Sequence, residues 1–181
     1  MEIVNFFETL AGKWFSQRTT HYLATQTSRA GQSNLLIEFL PHIDPTVIKL
    51  CEELGQDAAQ AACGLRINQD GRMDGETRST QSTALMVALQ PSSTQEGPQT
   101  RSGVLLQKSN PSAKASTGRY SLEQDVLTLT TETAEGQAQE RLWFVNPNLR
   151  MRTSVLQNAD GVKLTSFCSE IRMGVGRPAD S

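Results

Sequence analysis

The chain has 181 residues, with 17 Lys and Arg against 19 Asp and Glu, and a formal charge of −2. That length suits one domain able to bury roughly two thirds of the surface its unfolded form exposes, and interleaved charges of both signs make no field for a polyanion, which argues against nucleic acid and acidic membranes as partners. Three cysteines at unrelated spacings give neither a zinc site nor a disulfide framework, so reduced thiols in a cytoplasmic protein are expected.

Ile3, Val4, Phe6, Phe7 and Leu10 recur at helical spacing before Gly12 and predict a short opening helix. The segment has no basic lead and no long apolar core, and no later stretch approaches the ~18 apolar residues of a membrane span, so neither export nor insertion is expected. Asp44 and Pro45 supply an N-cap and a first-turn proline for a second helix, from about Pro45 to Leu54. Nearly everything else reads as strand: Gly12 to Gln26, Ser33 to Leu40, Cys63 to Gln69, Thr77 to Leu89, Arg101 to Lys108, Gly118 to Glu123, Val126 to Thr133, Ala138 to Val145, Leu149 to Gln157 and Lys163 to Met173. Asp70-Gly71, Asp74-Gly75, Glu135-Gly136 and Asp160-Gly161 signal turns between sequential neighbours. The fold class is therefore all-β with two short helices, and about ten antiparallel strands favour an up-and-down barrel, whose closure leaves no edge exposed. Gln90 to Ser102 and Ser109 to Thr117 are short enough to be barrel loops. One domain is expected over residues 1–173, followed by a frayed tail from Gly174 to Ser181.

The stretch from Glu140 to Ser154 concentrates the chemistry. Alternation puts Glu140, Leu142 and Phe144 on one face and Arg141 and Trp143 on the other, while Arg150, Arg152 and Ser154 align after the turn. One face of this hairpin is therefore both aromatic and ionic.

Gly12-Lys13-Trp14, following the opening helix, resembles the signature of lipocalins and related barrels of the fatty-acid-binding type, in which the Trp plugs one end and a basic residue of the last strand, here Arg172, packs on the indole. The blocks Trp14 to His21, Ser33-Asn34-Leu35, Glu140 to Arg152 and Ser166 to Met173 together resemble the S/U-type phycobiliprotein lyases, from the opening helix to the last strand. The resemblance implies a chromophore lyase. It would bind an open-chain tetrapyrrole of phycocyanobilin type in the barrel and promote its thioether attachment to a cysteine of an apo-phycobiliprotein alpha or beta subunit. The bilin is then a substrate, with no permanent cofactor and no metal, and a homodimer or a second lyase subunit stays open.

Within that reading Arg18, Arg150 and Arg152 bind propionates and Trp143 stacks on the pigment, while Glu140, Glu170 and His21 are the candidate acids and bases. Each has a plainer alternative: salt-bridge ladders for the arginines and glutamates, packing for Trp143, and a wall histidine for His21. Cys51 and Cys168 read as buried, inert thiols, and His42 lacks a second metal ligand nearby. The rival function is a lipocalin-like carrier that holds a bilin or another apolar carboxylate without assisting bond formation. A filled, purely structural barrel is the third reading.

Overall fold

The computed structural model describes residues 1–91 and 100–174. Ten antiparallel strands close into a barrel in sequential order, the first strand pairing with both the second and the last. They are β1 (Gly12–Tyr22), β2 (Thr27–Pro41), β3 (Ala61–Met73), β4 (Thr80–Leu89), β5 (Thr100–Lys108), β6 (Ser116–Glu123), β7 (Val126–Thr133), β8 (Gly136–Asn146), β9 (Leu149–Asn158) and β10 (Gly161–Arg172). Two helices, α1 (Ile3–Leu10) and α2 (Pro45–Glu53), complete the fold with a single 3-10 turn at Ala58–Gln60. The expected tail beyond Gly174 and the central part of the expected Gln90 to Ser102 loop lie outside the described residues.

Helix α1 closes one end of the barrel. Its apolar stripe, Ile3, Phe6, Phe7 and Leu10, is fully buried and joins Leu35, Leu65, Leu105, Leu122 and Leu127 from the strands in one core. The helix is tied to the barrel rim by the Met1 amino group on Asp125 at 3.1 Å and by Glu2 on Arg101 at 3.2 Å. Helix α2 packs on the outside instead: Val47, Leu50 and Cys51 cover Leu40, Val87 and Leu106, a second core on the outer sheet face. Its start follows the sequence, with Asp44 Oδ1 accepting from the Thr46 N–H at 2.7 Å ahead of Pro45. The other end of the barrel, ringed by the turns at Leu23–Gln26, Asp74–Gly75, Ala134–Glu135 and Ala159–Asp160, stays open.

Two expectations are corrected. Asp70-Gly71 is not a turn but lies inside β3, with Asp70 opposite Asn34 and Gln81, and Gly71 opposite Ser33 and Thr80. Strands β2 and β3 also run well beyond the predicted Ser33 to Leu40 and Cys63 to Gln69, because their mouth-proximal halves are polar on both faces and carry no hydrophobic alternation to read. All three cysteines are free and buried, and among the described residues no group of side chains is arranged to hold a metal. No described helix is long and apolar enough to cross a membrane.

Candidate functional site: a charged cavity inside the barrel

The antiparallel register assembles the site in rows across the inner wall. Ser16 stands opposite Glu170, Glu170 opposite Arg150, and Arg150 opposite Phe144. One step toward the mouth, the next row runs Arg18, Cys168, Arg152, Leu142, and the one after it Thr20, Ser166, Ser154, Glu140. Three consecutive strands, β8, β9 and β10, together with β1 from the other end of the chain thus deliver every second side chain to one polar strip, the period-2 geometry of a pleated wall.

At the floor the Trp14 indole is wholly buried between two guanidiniums, with Arg150 4.3 Å and Arg172 4.2 Å from the ring centroid. The indole N–H donates to the Leu10 carbonyl at 2.9 Å. Arg172 donates to the carbonyls of Ala11 at 2.7 Å and Thr9 at 2.8 Å, so the last strand caps the C-terminal end of α1. Gly12 lets the chain turn there at φ +126°, and a Cβ at that position would lie 2.8 Å from the Arg172 guanidinium.

Above the floor, Glu170 is fully buried and accepts from Ser16 Oγ at 3.1 Å, from Arg150 Nε, and from Arg152 Nη2 at 3.0 Å. Burial alone would raise its pKa, but the charges of Arg152 and Arg150 and their hydrogen bonds outweigh that and hold it below the usual carboxylate range. Burial lowers the Arg150 pKa to about 10 against the opposing pull of Glu170, so this guanidinium stays charged at neutral pH. For Arg152 burial is again the largest single influence, yet Glu170 and Glu140 together reverse it and raise its pKa. Its Nη1 lies 3.7 Å from Glu140 Oε1, so Arg152 bridges the covered carboxylate and the half-exposed one. Arg18 Nε donates to Cys168 Sγ at 3.3 Å. Among the described residues two buried N–H groups, Arg150 Nη1 and Arg152 Nε, have no partner.

These groups border a cavity of about 650 Å³ that opens at the mouth, where Glu140, Arg152 and Ser154 face the apolar side chains of Ile67, Met86 and Leu129. A deeper extension of about 70 Å³ reaches Arg150, Leu142 and Phe7, and a lobe of about 180 Å³ on the other side is lined by Arg18, Ser33 and Gln69. Volume, apolar walls and a few convergent charges are the attributes of a small-molecule site.

The structure sorts the seven candidate residues. Arg18, Glu140 and Arg152 face the cavity, and Arg150 reaches it only at the floor, where it is 2 % exposed. Glu170 lies beneath them, fully buried as the counter-ion of Arg150 and Arg152. Trp143 stands on the outer face, opposite Val126 and Met151, because the irregularity in β8 falls after it, between Phe144 and Asn146. His21 is exposed on the outer face of β1, out of step with inward-pointing Arg18 and Thr20. Neither outer residue can touch a ligand in the barrel. Gln69, which borders the cavity and both of its extensions, escaped the sequence reading; it continues the inward alternation of Cys63, Leu65 and Ile67, a signal that was present.

A closed barrel plugged by an N-terminal helix, with a charged strip facing a roomy half-apolar cavity, is the architecture of the lipocalin-like barrels. Residues 2–173 match the family model described as CpeS-like protein. The chain is 42 % identical over 183 residues to the "Chromophore lyase CpcS/CpeS" of Thermosynechococcus vestitus, covering all of this chain and 98 % of that one. It is 34 % identical over 172 residues to the "Phycocyanobilin lyase subunit CpcS" of a Picosynechococcus species, covering 93 % and 84 % of the two chains. Among solved structures, the S-type phycobiliprotein lyase CPES from Guillardia theta superposes with a TM-score of 0.79 at 26 % identity over 97 % of this chain and 95 % of that one. The chain belongs to the CpeS-like family of chromophore lyases.

Proposed function

We propose that this lyase takes a free open-chain tetrapyrrole of phycocyanobilin type into the barrel and promotes its thioether attachment to a cysteine of an apo-phycobiliprotein subunit in the cytoplasm. The observation that carries the reading is Arg152 and Glu140 lining a cavity of about 650 Å³, with Arg18 on its lobe of about 180 Å³, in a chain of this family. Within the strip, apart from Arg172 on the α1 carbonyls, three guanidiniums, of Arg18, Arg150 and Arg152, meet two carboxylates, of Glu140 and Glu170, which leaves one positive charge in excess. A bilin with two ionised propionates and a protonated ring system carries one net negative charge, so the pair is neutral.

In the reaction the acceptor's thiolate adds to the exocyclic ethylidene carbon of ring A. A sulfur–carbon bond forms, the double bond's electron pair moves into the ring, and a proton is delivered there. The nucleophile is the partner's. Arg152 and Arg18 anchor propionates through charge-assisted bonds; Glu140 accepts from pyrrole N–H groups, stabilises the protonated and more electrophilic pigment, and is the group placed to relay the proton. Glu170 keeps Arg152 in register, and holding one pigment conformer at the mouth contributes by orientation.

Mixing the protein with phycocyanobilin and an apo-subunit, and following acid-stable covalent pigment against a tube without the lyase, tests this directly. The expected result is a higher yield and a single product spectrum. Equal yield and an identical spectrum in both tubes would leave only a carrier.

A further inference from the structure

Beside the charged strip and nearer the mouth, Gln107 of β5 reaches across β6 to donate from Nε2 to Thr131 Oγ1 of β7 at 3.0 Å. The strand between them makes the contact possible by carrying Gly118 at the crossing point, where a Cβ would come within 3.1 Å of Thr131 Oγ1 and 2.7 Å of the Thr130 carbonyl. Both side chains line the main cavity. Among the described residues neither makes a second side-chain hydrogen bond, so Gln107 Oε1 stands ready to accept and the Thr131 hydroxyl hydrogen ready to donate. Thr131 is opposite Ala138, whereas Leu129 is opposite Glu140, so the pair sits two residues, or about 6.6 Å, nearer the mouth than the carboxylate.

A donor and an acceptor held side by side on the cavity wall are the two-point complement of a lactam, which offers an N–H and a C=O on adjacent ring atoms. An open-chain tetrapyrrole carries a lactam on each terminal ring and its propionates on the two inner rings. With the propionates on Arg152 and Arg18, the terminal rings are the parts of the pigment left to reach toward the mouth, where Gln107 and Thr131 stand. The ring that must meet the acceptor's thiol is the one at the mouth. We propose that Gln107 and Thr131 form a subsite for the ring A lactam, fixing that ring so that its ethylidene faces the opening. This inference rests on the tetrapyrrole reading above.

The test is a titration of wild type, Thr131→Val and Gln107→Leu with phycocyanobilin and with its ring A and ring D lactim O-methyl ethers, which lack the lactam N–H. Thr131→Val keeps the branched shape of the wall, and circular dichroism with a urea midpoint verifies folding of each variant. Loss of one neutral hydrogen bond corresponds to about a three- to tenfold weaker Kd. Wild type is expected to disfavour the ring A ether by that factor, each variant to bind phycocyanobilin more weakly by a similar factor, and Gln107→Leu to lose the discrimination between pigment and ether. Variants within twofold of wild type, or discrimination against the ring D ether instead, would overturn the subsite while leaving the bilin reading intact. A wild-type protein that binds no pigment at all would overturn both.

Discussion

Arg150 and Arg152 are two residues apart on one face of β9, yet the barrel gives them different work. Arg150 is sandwiched between Trp14 and Glu170 at the floor, while Arg152 stretches from Glu170 to Glu140 at the edge of the cavity. Arg152→Ala should therefore weaken phycocyanobilin binding by about 1.5–3 kcal/mol, the range for a bond to a charged group, and Lys163→Ala on the exposed rim should leave the titration unchanged. Arg150→Ala should act on folding first, costing about 3–5 kcal/mol in urea unfolding, because Glu170 would lose one of its two buried cations. Glu170 also fixes a pH dependence. Its folded-state pKa lies below the ordinary glutamate value of 4.5, so its contribution to stability is present above about pH 4.5 and is lost as the pH falls through the lower folded value. Urea unfolding should show a wide gap between wild type and Glu170→Gln at pH 7 that narrows on acidification below about pH 4.5; a gap independent of pH would contradict the ion-pair assignment. The charged residue types were legible in the sequence, and so was the inward face of Glu140. The covering of Glu170 was not, because its partners Ser16, Arg150 and Arg152 come from two other strands and meet it only through long-range register.

At the level of elements, helical and strand periods were readable wherever one face is apolar and the other wet. Helix α1 and most strands were placed within a few residues for that reason, and the failures have a common cause. Asp70-Gly71 has the composition of a turn, but Gly71 sits in mid-strand where the Ser33 side chain crowds its inner face, and the chain reverses only at Asp74-Gly75. His21 and Trp143 could have been set aside by parity, since both are odd-numbered neighbours of even-numbered inward positions on β1 and β8. The plug role of α1 carries a prediction. Phe6 is fully buried with its ring 5.5 Å from that of Phe144, itself 6.1 Å from Trp14. Phe6→Ala should cost about 3–5 kcal/mol in urea unfolding, with a red shift of Trp14 fluorescence as water reaches the floor; an unchanged midpoint would mean that the helix is not part of the barrel's core.

Across the whole molecule, a chain with a net charge of −2 encloses a strip in which Arg18, Arg150 and Arg152 outnumber Glu140 and Glu170, and the closed sheet keeps that strip apart from the surface charges. Barrel closure and strand number followed from pattern and turn spacing, because an up-and-down barrel is built from nearest-neighbour hairpins, while the plugged end followed only from the resemblance of Gly12-Lys13-Trp14 to the lipocalin signature. The size of the cavity did not, since it depends on how far the core of α1 fills the lumen, which periodicity does not measure. Ala138 on β8 lines the cavity between Thr131 and Leu156, two residues nearer the mouth than Glu140. A phycocyanobilin titration of Ala138→Phe against wild type, with the urea midpoint of both, is the most direct test that the pigment binds inside the barrel. The expected result is a folded variant whose affinity falls by about tenfold or more, because the ring occupies the lumen; a folded variant with wild-type affinity and spectrum would place the pigment elsewhere and contradict it.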